Sequence, residues 1–184
     1  MKNVGVIGLG DMGSGLAKNL IKNGFTVKGA DLLPARQLAF DAMGGLLCSN
    51  PAEVGRDVNA VFVMVMKGSE VKDVIFGSDG LLTTMSTGGA IMLSATIKPN
   101  EAREIGDGMA GSGIHLIDTP VSGGFPGAQS GTLTLMAAAP SATLDEFAPI
   151  MEVVSESIHR VGTNPGDGQT VKACLQSLIG AQFS

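Results

Sequence analysis

"NVGVIGLGDMGSGLAKNLIKNG", residues 3–24, decides the fold. "NVGVIG" (Asn3–Gly8) is an apolar, β-branched run of strand length. "DMGSGLAKNLIKNG" follows with Leu16, Leu20 and Ile21 at helical spacing, and Gly24 stands where a helix would stop. At the junction, Gly8-Leu9-Gly10-Asp11-Met12-Gly13 matches G-x-G-x-x-G. That pattern is weak alone, but here a strand leads into it and a helix leads out. In such a turn the first glycine makes the bend. The second lets a pyrophosphate approach the backbone, and the third lets helix and strand pack closely. The phosphates would meet unpaired N–H groups at the positive end of the helix.

Working outward, "FTVKGAD" reads as the next strand and ends on Asp31, at about the 20-residue distance expected for the acid that bonds an adenosine ribose. A carboxylate there accepts from ribose hydroxyls and repels a 2′-phosphate, and no arginine follows until Arg36. The expected cofactor is NAD rather than NADP. Pro34 starts a helix whose apolar face is Leu38, Ala39, Ala42 and Met43. "VNAVFVMVM" (Val58–Met66) reads as a central parallel strand, with further strands at "AIMLSA", "IHLID" and "LTLMAAA". "SATLDEFAPIMEVV" reads as a helix with Ser141 as its N-cap. Strands alternating with helices imply an α/β, Rossmann-like, doubly wound and mostly parallel sheet. "VGTNPGDGQ" (Val161–Gln169) is a punctuated loop before a last helix, and a boundary between two units is expected there.

Composition narrows the function classes. The 184 residues are 44% hydrophobic and 16% charged, a folded globular chain of one-domain length. A net charge of −5 and the absence of Trp and Tyr argue against nucleic acid as a partner. No apolar run has the length of a membrane span, so no membrane partner is expected. Cys48 and Cys174 make no disulfide framework, which points to a reducing compartment, the cytoplasm. His115 and His159 stand alone among apolar neighbours and read as structural, and no cluster has metal-ligand spacing.

Two further stretches carry chemistry. "DTPVSGGFPGAQSGTL" (Asp118–Leu133) places the Ser122 hydroxyl beside the bare amides of Gly123 and Gly124. That arrangement suits an anion such as a carboxylate, or equally a surface loop that needs glycine for its turns. "GDGQTVKACLQ" puts Lys172 and Gln176 one turn apart on the last helix. A lone helical lysine is ordinarily a solvated one.

Taken together, these motifs resemble the β-hydroxyacid dehydrogenases, the family that includes 3-hydroxyisobutyrate dehydrogenase. "GLGDMGSGLAKNL", "DTPVSGGFPGAQSGTL" and "GDGQTVKACLQ" resemble its nucleotide, substrate and catalytic-lysine signatures, in order and across the whole chain. "VFVMVM" and "SATIKP" resemble its strand end, with Met64 and Val65 beside the nicotinamide half, and its Ser-Thr motif, with Thr96 as a cofactor contact. "VKGADLLP" is most similar to members acting on four-carbon sugar acids such as L-threonate. The resemblance implies hydride transfer from the hydroxyl carbon of a small β-hydroxy acid to NAD. Lys172 would be the general acid/base, Gln176 would fix the reacting hydroxyl, and Ser122, Gly123 and Gly124 would hold the carboxylate.

The departures are Leu175, where the family has an asparagine, Met66 for a frequent proline, and Ala95 for the serine before the threonine. The resemblance also implies a cofactor unit over residues 1–164. Residues 165–184 would be the start of a long interdomain helix whose all-helical partner domain is absent. The apolar stripe Val171, Leu175, Leu178 and Ile179 would then lack its cover and favour a homo-oligomer. Three readings stay open: a truncated cofactor unit, a short enzyme that completes its site by dimerising, and a non-catalytic dinucleotide-binding or interaction module.

Overall fold

A computed structural model of the chain describes residues 2–182. Met1, Phe183 and Ser184, which the segments 1–164 and 165–184 include, lie outside the described residues. The elements run β1 (Asn3–Ile7), α1 (Asp11–Lys22), β2 (Thr26–Ala30), α2 (Pro34–Ala42), β3 (Leu46–Leu47), α3 (Pro51–Gly55), β4 (Ala60–Val63) and α4 (Gly68–Phe76). They continue with β5 (Ala90–Leu93), α5 (Pro99–Gly108), β6 (His115–Asp118), β7 (Val121–Ser122), α6 (Gly124–Ser130), β8 (Leu133–Ala138), α7 (Ser141–Met151), β9 (Ser155–Gly162) and α8 (Asp167–Gln182).

Among the described residues one sheet forms, in the order β3-β2-β1-β4-β5-β6-β8-β7, with β9 paired to β8. Pairing is parallel from β3 through β6, antiparallel where β8 meets β6 and β7, and parallel again between β8 and β9. Strand order reverses between β1 and β4, and ligands of open α/β sheets collect in the crevice that such a reversal opens.

The central strands are apolar throughout because helices cover both faces. Along β4, Ala60 and Phe62 pack with Leu16 and Leu20 of α1, whereas Val61 and Val63 pack with Val71 and Ile75 of α4. The expected α/β fold with a mostly parallel sheet is therefore the fold observed.

Several local expectations are corrected. On α2 the buried side chain is Phe40, while Leu38 is 72% exposed. The helix lies at the edge of the sheet, and a Cβ on Gly29 would stand 2.7 Å from the Phe40 ring, so that ring fills space left by glycine. Ser141 is the first residue of α7, and Pro140 holds the N-cap position. The stretch Asp118–Leu133 is not an open loop. It contains β7 and α6, and α6 packs on α1 so closely that a Cβ on Gly15 would come within 2.6 Å of the Ala128 backbone. Asn19, buried on α1, clamps that contact by donating from Nδ2 to the carbonyls of Ala128 (2.9 Å) and Gln129 (3.3 Å).

Candidate functional site

The glycine turn has the geometry its residues imply. Gly8 has φ of 87°, and a Cβ there would strike the Met64 carbonyl. A Cβ on Gly13 would overlap the Gly8 carbonyl, so α1 starts against the end of β1 at a separation only glycine permits. Gly10 is the N-cap of α1 and no side chain caps the helix, which leaves its first N–H groups without a side-chain acceptor. This is a cradle that side chains would fill, and it fits a pyrophosphate. Leu9 is buried, Met12 is half-buried and Asp11 is exposed. We expect Gly13→Ala to lower the urea midpoint by an amount equivalent to about 1–3 kcal/mol and to abolish NADH binding. An unchanged midpoint would show that the helix can shift without cost.

Asp31 follows β2 at the same edge. Its Oδ2 accepts from Leu9 N (2.7 Å), inside the glycine turn, and its Oδ1 accepts from Leu33 N (2.9 Å). The acid and the turn are thus one hydrogen-bonded unit. Met64 and Val65 follow β4 and border it, with Met64 N donating to Ile7 O at 2.8 Å. Thr96 is exposed just past β5.

The other half of the site hangs on Asp118, the last residue of β6, which is fully buried. Its Oδ2 accepts from Gly166 N (2.8 Å) and Gln169 N (3.2 Å), and its Oδ1 from Gln169 Nε2 (2.9 Å). Burial pushes the Asp118 carboxyl up, against the pull of N–H donors from Gln169, Gly166 and Gly168. Gln169, 1% exposed, also donates to Ala95 O (3.0 Å) and accepts from Ile97 N (3.0 Å). The first turn of α8 is therefore tied to the carboxyl ends of both β5 and β6.

One turn on, Lys172 is 9% exposed, and burial alone pushes its amine below the ordinary lysine range. This is not the solvated lysine that a lone helical position suggests. Gln176, a turn later, is exposed, as are Val171, Leu178 and Ile179, while Leu175 is half-buried.

Ser122 lies on β7 and is half-buried. Gly123 (φ 123°) and Gly124 (φ 57°) follow it in backbone conformations that favour glycine. Both histidines lie away from these groups. His115 starts β6, with Nδ1 3.5 Å from Thr143 Oγ1 and its ring against Phe147, and His159 is on β9.

Glycine turn, Asp31, Met64, Val65, Thr96 and the anchored start of α8 thus share the carboxyl edge of the parallel strands. Sequence reasoning missed Asp118, Gln169 and Asn19. The available signal was a polar residue opening a helix, Gln169, and an acid closing an apolar strand, Asp118.

The chain belongs to the family of NAD-binding domains of 6-phosphogluconate dehydrogenase, which it matches over residues 3–162. It is 34% identical to L-threonate dehydrogenase of Cupriavidus necator over 183 residues, spanning all of this chain and 62% of that protein's length. A solved structure of 3-hydroxyisobutyrate dehydrogenase from Salmonella typhimurium superposes with a TM-score of 0.92 at 33% identity, over 99% of this chain and 64% of that one. Another solved structure, a complex with NADP+, superposes with a TM-score of 0.86 at 27% identity, over 93% of this chain and 60% of that one. Among the described residues no helix is long and apolar enough to cross a membrane.

Proposed function

We propose that the chain is the cofactor-binding part of an NAD-dependent 3-hydroxyacid dehydrogenase, with Lys172 as the general acid/base acting on a small β-hydroxy acid. The observation that carries this reading is the buried Lys172, set one turn beyond an anchored helix start at the edge where the glycine turn lies. Residues 1–164 would form the dinucleotide unit, and 165–184 the start of the helix leading out of it. Four-carbon sugar acids are the substrate class favoured by the likeness to L-threonate dehydrogenase.

In this reading Gly8, Leu9, Gly10, Asp11, Met12 and Gly13 hold the pyrophosphate. Asp31 accepts from the adenosine ribose and favours NAD over NADP, while Met64, Val65 and Thr96 border the nicotinamide half. The dinucleotide, once bound, supplies the hydride acceptor. Ser122 Oγ and the amides of Gly123 and Gly124 hold the substrate carboxylate, and Gln176 orients the hydroxyl. Lys172 Nζ, in its neutral form, takes the hydroxyl proton during oxidation and returns it during reduction. A lysine of ordinary pKa, about 10.4, is almost wholly protonated at pH 7, so a base there needs a lowered value, and burial pushes Lys172 in that direction.

The exposed apolar residues of α8 would be covered in a homo-oligomer, and the free Cys48 and Cys174 suit a cytoplasmic setting. A second reading, a non-catalytic dinucleotide-binding module, is favoured by one residue: Leu175, where the resembled family carries an amide. Fluorescence titration with NADH and NADPH, followed by a hydroxy-acid screen, separates the two. Binding of NADH with turnover supports the enzyme. Binding without turnover on any hydroxy acid supports the module. Binding of neither nucleotide overturns both.

A further inference from the structure

At the end of the sheet away from the glycine turn, β6 has an uncovered edge. His115 N donates to Gly89 O (2.8 Å), and Thr119 N donates to Leu93 O (3.0 Å). Residues 115, 117 and 119 therefore turn their backbone groups toward β5, while Leu116 and Asp118 turn theirs the other way. Asp118 meets Ala138 of β8 in an antiparallel pair. That register sets Leu116 opposite Pro140, where the ladder stops. Proline has no N–H to give, and the Pro140 carbonyl already accepts from Leu144 N (3.0 Å) in α7. Among the described residues, no strand pairs with the outward N–H and C=O of Leu116.

The space left beside them is a cavity of about 270 Å³ between α5 and the start of α7, lined by Met109, His115, Leu116, Pro140, Thr143 and Pro165. Most of its wall is apolar, and the polar groups converge. Thr143 is 5% exposed, and its hydroxyl has one partner, His115 Nδ1 at 3.5 Å. An apolar cavity with a few convergent polar groups is the usual form of a small-molecule site. No Asp, Glu, Lys or Arg lines it, so it suits a neutral ligand. An extended peptide would need a longer free edge, and the next outward N–H, that of Ile114, is taken by Ser112 Oγ at 3.1 Å.

We propose that this cavity is a second binding site, for a small, neutral, planar nitrogen heterocycle that carries a donor beside an acceptor, as the edge of a nucleobase does. The two hydrogen bonds that a neighbouring strand would have made with Leu116 go to the heterocycle. Its ring nitrogen accepts from Leu116 N–H, and its amino group donates to Leu116 C=O. The ring lies against Met109, Pro140 and Pro165, and a methionine sulfur packs favourably on an aromatic edge. The size of the cavity suits one ring system rather than a whole dinucleotide.

The probe is 2-aminopyrimidine, which is neutral at pH 7. The control is pyrimidine, the same ring without the donor. Each is titrated into the ¹⁵N-labelled chain, and the backbone amides are followed by NMR. With 2-aminopyrimidine the Leu116 amide should shift most, with a dissociation constant on the order of 1 mM for so small a ligand. Pyrimidine should bind at least about tenfold more weakly, because it leaves the Leu116 carbonyl unpaired. Ala110 is exposed on the cavity wall, so Ala110→Phe should abolish the Leu116 shift while the other amides keep the spectrum of the folded chain. The site is overturned if Leu116 does not respond, if the shifts centre on Gly8–Gly13, or if Ala110→Phe leaves them unchanged. Equal affinity for the two probes overturns the ligand class, and needs no variant to show it.

Discussion

If Lys172 is the proposed acid/base, replacing it by methionine should remove most of any turnover and, at neutral pH, make the folded chain more stable. The two effects have one cause. Lys172 is 9% exposed, and burial pushes its amine downward. Removing a positioned proton acceptor costs on the order of 10²–10⁴ in rate. Methionine keeps the apolar stem and drops the charge, so the cost of holding an ammonium out of water disappears. The pH dependence follows from the sign of the shift. The folded chain binds a proton at Lys172 less tightly than the unfolded chain does. Wild-type stability therefore rises with pH between the lowered folded value and the unfolded value of about 10.4. The methionine variant lacks that slope, so its advantage should be largest at neutral pH and shrink toward pH 10. Urea midpoints for both proteins across pH 6–10, with NADH titrations alongside, measure this. NADH binding should survive the substitution. Unchanged turnover would remove Lys172 from the chemistry, and a loss of stability would mean that its amine is paired rather than merely buried.

What was legible from sequence depended on whether the physical requirement was local. The glycine turn was legible because each glycine answers a constraint within a few residues, a positive φ at Gly8 and a missing side chain at Gly13. The central strands were legible because burial on both faces makes them continuously apolar. The two-residue strands β3 and β7 are too short to show a period. β9 lies at the margin of the sheet with no fully buried residue, so its sequence "SESIHRVG" carries little apolar signal. The α2 face was misread because the glycines that admit Phe40, Gly29 and Gly45, lie outside the helix. The glycine-rich stretch after Asp118 suggested an open loop because its order comes from elsewhere, from α1 and the Asn19 clamp. The expectation of a role for Lys172 came only through the resemblance. The helix start that carries it is bonded to Asp118, whose partners begin 48 residues away in sequence.

That distant carboxylate carries the second large effect. Asp118→Asn should leave the sheet folded but release the start of α8, and with it the burial of Lys172. The carboxylate offers two oxygens to N–H donors from Gly166, Gly168 and Gln169, and none of its contacts is to the lysine. Asparagine keeps one acceptor and turns an amide NH₂ toward donors, leaving buried N–H groups unpaired at about 1–3 kcal/mol each. Undocking is favoured over strain because α8 is buried only through its first turns and exposed beyond them. The expected result is a stability loss of about 2–4 kcal/mol. The amine of Lys172, followed by NMR after reductive ¹³C-methylation, should move back toward the ordinary lysine range as it becomes solvated. NADH affinity should change little, since the glycine turn and Asp31 make no contact with this network in the hydrogen bonds that hold them. Gln169→Ala should shift the lysine in the same direction but less, because Asp118 then still caps Gly166. If Asp118→Asn lowers stability without moving the Lys172 titration, Asp118 is an ordinary core polar group. If it moves the titration, the buried carboxylate is what holds the Lys172 amine at the edge of the sheet where the glycine turn lies.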